Sequence, residues 1–443
     1  MQPLIVPREA HTLSRRDVDP DALKVLYRLK DAGFAAYIVG GGVRDLLLGR
    51  RPKDFDIGTD AHPYQIKKLF RNCFIIGRRF RLAHIRFGTK VVEVATFRRA
   101  ITEEERAAAE AVVQEAAREA TQEAGTGPRE EPRHRHEGGR RGRHDALTHH
   151  DNTFGTAEQD AFRRDFTLNA LFYDIATFSI IDYVGGLEDL RARLIRCIGD
   201  PVVRFREDPV RMQRAVSFAA RLDFEIDPPI LDAIATERHE LARSAPARLA
   251  EEYYKILRSG AAERTFRDLH RLGLLEPISD VLHRQAGDAL WASLGRLDAY
   301  RRRFDAPPSP LTSGVLLGSL VVPLGFSQGT WPGWIESEGR PGLNLGILPL
   351  SRRDIDRIHQ VLVLQRRLRE PSRSPRARQA LMRRPAFPDA LTWLEIHGDD
   401  PQTLVSWAHP TVHPGEPGEP GNGQRKRRRR RRRGRFPFRK SPE

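Results

Sequence analysis

The chain has 443 residues, 39% of them apolar, which is enough for two to four compact units with a real interior. Its two cysteines, Cys73 and Cys197, belong to no C-x-x-C pair. That argues against a disulfide framework and a cysteine-built zinc site, and suits a reducing cytoplasm. The formal net charge is +16, but 12 Lys or Arg and no acid lie between Arg425 and Lys440, so without that stretch it falls to +4. The feature that attracts polyanions is therefore a tail and not the whole surface.

Taken in order, Asp19 to Ala32 predicts a helix, with Ala22, Val25, Leu26 and Leu29 at helical spacing and Gly33 after its end. Ala35 to Val39 is a strand that runs into Gly40-Gly41-Gly42, and Val43 to Leu48 is helical. Phe55-Asp56-Ile57 reads as a second strand, and Ala83 to Phe87 and Val91 to Thr96 as two more joined at Gly88-Thr89. Residues 102–124, rich in Glu, Ala and Arg, suit an exposed helix. Residues 125–150, dense in Gly, Arg, His and Pro, read as a disordered insertion. The histidines there (His134, His136, His144, His149, His150) lack fixed metal-ligand spacing and are read as part of a flexible basic segment.

A helix from Glu158 to Arg164 leads into an apolar stretch from Leu168 to Ile181. Helical patterning dominates from Asp208, with breaks near Pro228, Pro246, Gly260 and Gly273. Residues 303–345 are rich in Pro and Gly and are expected to be irregular. Within them Leu311 to Phe326 is too short and interrupted to span a membrane and suits a buried helix or loop. Further helices are expected over Ser351 to Leu368, Ser374 to Arg384 and Asp389 to Ile396. A linker after Pro410 ends in the Arg-rich tail, where Phe436 and Phe438 could stack on bases. The N-terminus has no apolar signal-peptide core.

The chemistry concentrates in Gly40-Gly41-Gly42-Val43-Arg44-Asp45 and, nine residues after Asp45, Asp54-Phe55-Asp56. On a strand, residues i and i+2 share a face, so Asp54 and Asp56 can present two carboxylates side by side. The natural partner of such a pair is Mg²⁺, which takes a few carboxylate oxygens and fills its remaining positions with water and phosphate. Glycines at a helix start let backbone N–H groups approach a triphosphate, and Arg44 adds a cation. Neither the Walker spacing nor the dinucleotide-fold spacing is present. A third carboxylate would come from Asp165 or from Glu93.

The run YIVGGGVRDLLLGRRPKDFDI (37–57) resembles the head of the class II polymerase-β-like nucleotidyltransferases, the family of bacterial poly(A) polymerases and CCA-adding enzymes. RRDFTLNAL (163–171), DYVGGLEDL (182–190) and REDPVRMQRAVSFAARL (206–222) are similar to its later motifs, in order. GRRFRLAHIRFG (77–88), EVATFRR (93–99) and HDNTFGT (150–156) resemble the poly(A) polymerase branch. The resemblance spans roughly residues 12–280 and implies roles by position. Asp54 and Asp56 would hold metal, and Asp165 would be the third active-site Asp. Gly41, Gly42, Arg44, Arg164 and Arg214 would contact nucleotide, and Asp208 with Arg211 would read the base edge. Ser217 stands where the family usually has Arg, and a Ser cannot replace that charge.

The expectation is an α+β protein. A small mixed-sheet head (12–180, with the insertion at about 102–150) precedes a helical neck (181–290), a helical RNA-binding body (291–410) and a disordered Arg-rich tail (411–443). Its substrates would be ATP and RNA 3′ ends, with Mg²⁺ as cofactor, in the cytoplasm and away from membranes. The resemblance implies addition of adenylates without a template. The alternatives are CCA or A addition to tRNA, and a noncatalytic RNA-binding protein with a decayed head.

Overall fold

The computed structural model describes residues 2–77, 81–100, 153–305, 308, 311–326, 334–337, 340–343, 345–370 and 374–408. The insertion with its histidines, and the Arg-rich tail, lie outside the described residues. Met1–Asp399 forms one unit and Asp400–Glu443 another. In the second, Asp400 caps the helix Pro401–Ala408 by accepting from the Thr403 amide at 3.1 Å.

The first unit is built on an eight-stranded sheet. Its strands are β1 (Leu4–Val6), β2 (Ala36–Val39), β3 (Ile57–Thr59), β4 (Cys73–Ile76), β5 (Leu82–Phe87), β6 (Lys90–Thr96), β7 (Leu171–Asp174) and β8 (Ser179–Asp182). The spatial order is β1-β8-β7-β2-β3-β6-β5-β4. Every pairing is antiparallel except β3 with β6, which is parallel. β1 and β4, the two edge strands, are too short to carry a clear alternation in sequence and were not expected.

Helix α1 (Pro20–Asp31) starts as its sequence dictates. Pro20 stands at the first position, and the Asp19 carboxylate accepts from the Asp21 and Ala22 amides at 2.9 and 3.2 Å. Its Ala22, Val25, Leu26 and Leu29 stripe is fully buried against the sheet. Each of the larger three contributes about 1.5–3 kcal/mol by leaving water. Helices α2 (Gly41–Leu47) and α3 (Pro63–Leu69) follow. After the insertion, α4 (Ala157–Phe162) leads to a 3₁₀ turn, Thr167–Asn169.

The sheet's central strands are covered on both faces. Ala36 and Ile38 of β2 join the main core, while Val39 packs with Phe97, Phe172 and Ile198 on the other side. All four residues of β7 are buried, which explains why its sequence runs apolar without alternating. In the outer half, β4-β5-β6, only one face is covered. Cys73, Ala83, Ile85, Val92 and Val94 are buried, and Phe74 and Glu93 between them are exposed.

From α5 (Gly186–Ala192) onward the unit is largely helical, beginning with α6 (Pro201–Glu207), α7 (Val210–Leu222) and α8 (Pro228–Glu237). The two-residue strands Leu194–Ile195 and Glu225–Ile226 pair beside them. Within 303–345 the described residues are more regular than expected. In the helix Ser313–Val321 every residue from Gly314 on is buried, and Trp334–Ser337 pairs with Arg340–Leu343. The small residues that interrupt its apolar run allow close packing, with an added Cβ at Gly318 falling 2.5 Å from Trp393. Among the described residues no helix is long and apolar enough to cross a membrane. Both cysteines are buried and free.

Candidate nucleotidyltransferase site

At the end of β2 the chain turns at Gly40, whose φ of 68° lies in the region that favours glycine. A Cβ there would fall 2.9 Å from Arg164 Nη1 and 3.2 Å from the Asn169 carbonyl. The turn opens directly into α2, so Gly41 and Gly42 form its first turn instead of preceding it. Their amides have no carbonyl four residues back within the helix, and no side chain caps them.

Asp54 and Asp56 lie just ahead of β3, which begins only at Ile57 and not at Phe55 as expected. The bond from the Val39 amide to the Asp56 carbonyl, 3.0 Å, still anchors this approach to β2. Asp54 is 64% exposed, with Lys53 Nζ at 3.2 Å. Because β3 and β6 run parallel with Ile57 opposite Val94, the residues just before that pair, Asp56 and Glu93, come side by side. The enclosing protein, and then the charges of Glu93 and Asp54, raise the Asp56 carboxyl to about 6; Arg164 and Lys53 act against the rise. Mutual repulsion of this kind is what a divalent cation relieves. Among the described residues no three His, Cys, Asp or Glu side chains form a ready-made metal cage. This donor set suits Mg²⁺ completed by water and phosphate. A cavity of about 900 Å³ opens beside Asp54, with Arg16, Arg50, Arg51 and Lys53 in its wall.

Asp165, expected as the third active-site Asp, has partners of its own in the fold. Its carboxylate accepts from Arg214 Nε and Nη2 at 2.8 and 2.7 Å, from Asn169 Nδ2 at 3.1 Å and from the Phe166 amide at 2.9 Å. Burial pushes its carboxyl up, but the Arg214 guanidinium and these hydrogen bonds outweigh it and hold the group at about 2. Asp165 is therefore the counter-ion of an arginine, and Glu93 is the carboxylate whose field weighs most on Asp56. The reason is topological: the parallel pairing, invisible in sequence, carries Glu93 to the pair.

Arg44 is buried, donating to Asp45 Oδ1 at 2.6 and 2.8 Å and to Asn169 Oδ1 at 2.5 Å. Arg164 donates to Asp160 Oδ2 from Nε and Nη2 at 3.1 and 2.9 Å, and to the Asn169 carbonyl at 3.0 Å. One chain of contacts thus joins Arg44, Asn169, Asp165, Arg214 and Glu252, the last at 3.4 Å. It ties the head to α7 and to the helix Pro246–Leu257. Arg204 of α6 closes the same seam, donating to the carbonyls of Arg163 and Arg164 at 2.6 and 2.7 Å.

Asp208 and Arg211 face each other across the start of α7 at 3.8 Å, and each has a further partner. Arg248 Nη2 lies 2.5 Å from Asp208, and Arg211 Nη1 lies 3.1 Å from Glu207. Beyond them the guanidinium carbons of Arg44, Arg214 and Arg221 stand 5.2, 5.2 and 5.1 Å from the centre of the Phe218 ring. Burial, and then the nearby Arg44, lower Arg221 to about 10. Ser217 adds no charge to this group.

Two acids of DYVGGLEDL, Asp182 and Asp189, hold the local fold. Asp182 accepts from the amides of Val184, Gly185 and Gly186 at 3.0 Å and of Leu187 at 2.8 Å, which fixes the entry to α5. Asp189 accepts from Thr167 Oγ1 at 2.6 Å and Arg196 Nε at 2.9 Å. Sequence reading singled out neither Asp160 nor Asn169. Their spacing was the available signal, since Asp160 precedes Arg164 by four residues and Asn169 follows Asp165 by four.

Residues 36–196 match the poly A polymerase head domain, and residues 223–284 match the probable RNA and SrmB-binding site of polymerase A. Poly(A) polymerase I of Salmonella typhimurium is 46% identical over 280 residues, covering 63% of this chain and 54% of that one. The CCA-adding enzyme of Lactobacillus helveticus is 35% identical over 240 residues, covering 54% and 50%. The chain thus spans about half the length of the curated relatives it matches. The crystal structure of the Bacillus stearothermophilus CCA-adding enzyme in complex with CTP superposes with a TM-score of 0.57 at 25% identity, covering 88% of this chain and 82% of that one. Residues 36–196 thus belong with the poly A polymerase head domains, and the chain is similar to poly(A) polymerases and, at lower identity, to CCA-adding enzymes.

Proposed function

We propose that this protein is a template-independent polynucleotide adenylyltransferase: an RNA 3′-hydroxyl attacks the α-phosphate of ATP, and pyrophosphate leaves. The observation that carries the reading is the Asp56–Glu93 juxtaposition, with the Arg164 cation near enough to act on Asp56. Asp54 and Asp56 would hold Mg²⁺, which when bound activates the hydroxyl and stabilises the leaving pyrophosphate. Arg164, kept in place by Asp160, would balance charge on the phosphates, and the amides of Gly41 and Gly42 would donate to them. Arg44 acts from behind by orienting Asn169. Asp165 acts by setting Arg214 against the nucleotide. Asp208 and Arg211 would read adenine, the carboxylate accepting from its amine and the guanidinium donating to a ring nitrogen. The protein's share of the rate is positioning and charge stabilisation.

In this reading the head covers residues 12–180, the neck 181–290, the RNA-binding body 291–410 and the basic tail 411–443. The tail adds nonspecific hold on RNA, and the compartment is the cytoplasm. CCA addition is the second reading, favoured by the likeness to the CCA-adding enzyme bound to CTP. The test offers each NTP singly with an oligoadenylate and with a tRNA trimmed of its CCA end. Adenylate runs on the oligoadenylate support the proposal. CMP addition to trimmed tRNA with no extension of oligoadenylate would replace it by the second reading.

A further inference from the structure

Beyond Glu93, the uncovered side of the outer sheet carries residues on β4 and β5 that the nucleotide chemistry does not use. Phe74 of β4 pairs with His84 of β5, and His84 pairs with Glu93 of β6. Residues paired across a sheet project from the same face, so these three form one row. The next strand inward is β3, at whose entrance Asp56 lies beside Glu93. His84 Nε2 is 3.6 Å from Glu93 Oε1. Alternation puts Ile76, Arg86 and Val91 on this face as well. Phe74 and Ile76 are 53% and 50% exposed and Val91 37%, which makes the face an apolar shelf with a cation on it.

We propose that this shelf seats the single-stranded 3′ end of the RNA that accepts the nucleotide, with a base stacked on Phe74. The proposal rests on the adenylyltransferase reading for what happens at Asp56, but not for the binding itself. Three features point to RNA. The row runs without a break into the carboxylates that the 3′-hydroxyl must reach. At about 4.8 Å per strand, Phe74 stands roughly 10 Å from Glu93, a distance that suits a base upstream of the reacting end. An exposed aromatic on a sheet face beside an Arg is a way single strands are held without regard to sequence. Arg164, Asp208, Arg211 and Arg214 belong to the incoming nucleotide, so the acceptor needs a surface of its own.

The experiment uses the full chain and a short fluorescent oligoadenylate with 4-thiouridine at its penultimate position, without ATP. Irradiation is expected to cross-link the thiouridine to β4 or β5, at or next to Phe74. Phe74→Ala should raise the Kd for the oligoadenylate roughly tenfold, the loss expected of one stacked base. Phe74→Tyr should restore it. In turnover, the KM for RNA should rise in Phe74→Ala while the KM for ATP stays put. Tyr64, 68% exposed and outside the row, supplies the control Tyr64→Ala, which should bind as the unaltered protein does. An unchanged Kd in Phe74→Ala with cross-links elsewhere overturns the proposal, as does equal loss in the control; the shelf would then suit a protein strand at the β4 edge. If cross-linking holds but no nucleotide is ever added, the enzymatic reading fails and the RNA shelf stands.

Discussion

Asp165 and Arg214 form a two-pronged ion pair, at 2.8 and 2.7 Å, between the segment that follows α4 and the first half of α7. Asp165 is only 12% exposed in its side chain and Arg214 28%. The pair holds the seam of the candidate nucleotide pocket, and it draws Arg214 upward and Asp165 downward in pKa through their mutual attraction.

Arg214→Ala should therefore cost stability as well as nucleotide binding. Breaking such a buried pair from one side typically costs about 3–5 kcal/mol, because the remaining charge is left uncompensated. Urea unfolding would measure it. The double variant Asp165→Asn with Arg214→Ala should be less destabilised than the sum of the singles. The folded pKa of Asp165, about 2, lies below its ordinary value of 3.8, so its contribution is present above that value. It should be lost as pH falls from there towards 2.

Asp54→Asn and Asp56→Asn should each remove nucleotide addition while leaving the fold intact. The loss should exceed the 10- to 100-fold typical of residues that only support a metal ligand. Glu93→Gln should raise the Mg²⁺ concentration needed for half-maximal rate. Asp165→Asn should instead raise the KM for ATP with little change in Mg²⁺ requirement. Steady-state titrations of Mg²⁺ and ATP on the four variants separate the two roles.

Asp56 predicts a pH effect of the opposite sign. Its folded pKa of about 6 lies above the ordinary 3.8, so without a cation the folded state holds more protons across that window. Stability should fall as pH rises through it. Mg²⁺ must displace that proton, so its affinity should climb with pH up to about 6 and then level. Thermal unfolding from pH 4 to 7, with and without Mg²⁺, should show the two curves diverging as pH rises.

Gly40→Ala should lose activity out of proportion to its size. The positive φ strains any Cβ by about 1–3 kcal/mol. The new methyl would also press on Arg164 Nη1 and the Asn169 carbonyl. Melting temperature and the KM for ATP should both worsen. An unaltered KM would mean that Arg164 does not touch the nucleotide.

Arg211→Ala should narrow the preference for ATP over CTP by about 1–3 kcal/mol, the usual worth of a base-reading pair. Arg248→Ala frees Asp208 from its partner at 2.5 Å and should shift the same ratio, more weakly. Competition between the two labelled nucleotides is the measurement.

The sequence by itself determined what is local. Asp19 before Pro20 sets the start of α1 through bonds within a few residues. The glycine run, the Asp54–Asp56 spacing and the Ser351 cap on the helix Arg352–Leu368 are legible for the same reason. Only the tertiary structure decided which carboxylate stands beside Asp56. Glu93 and Asp165 were both eligible on composition, and the choice hangs on the parallel pairing of β3 with β6 across a stretch of chain that no periodicity spans. The same holds for Asp165 and Arg214, 49 residues apart, which meet because α7 packs against the head. Charges at such separations attract only once the fold has brought them close and removed water from between them.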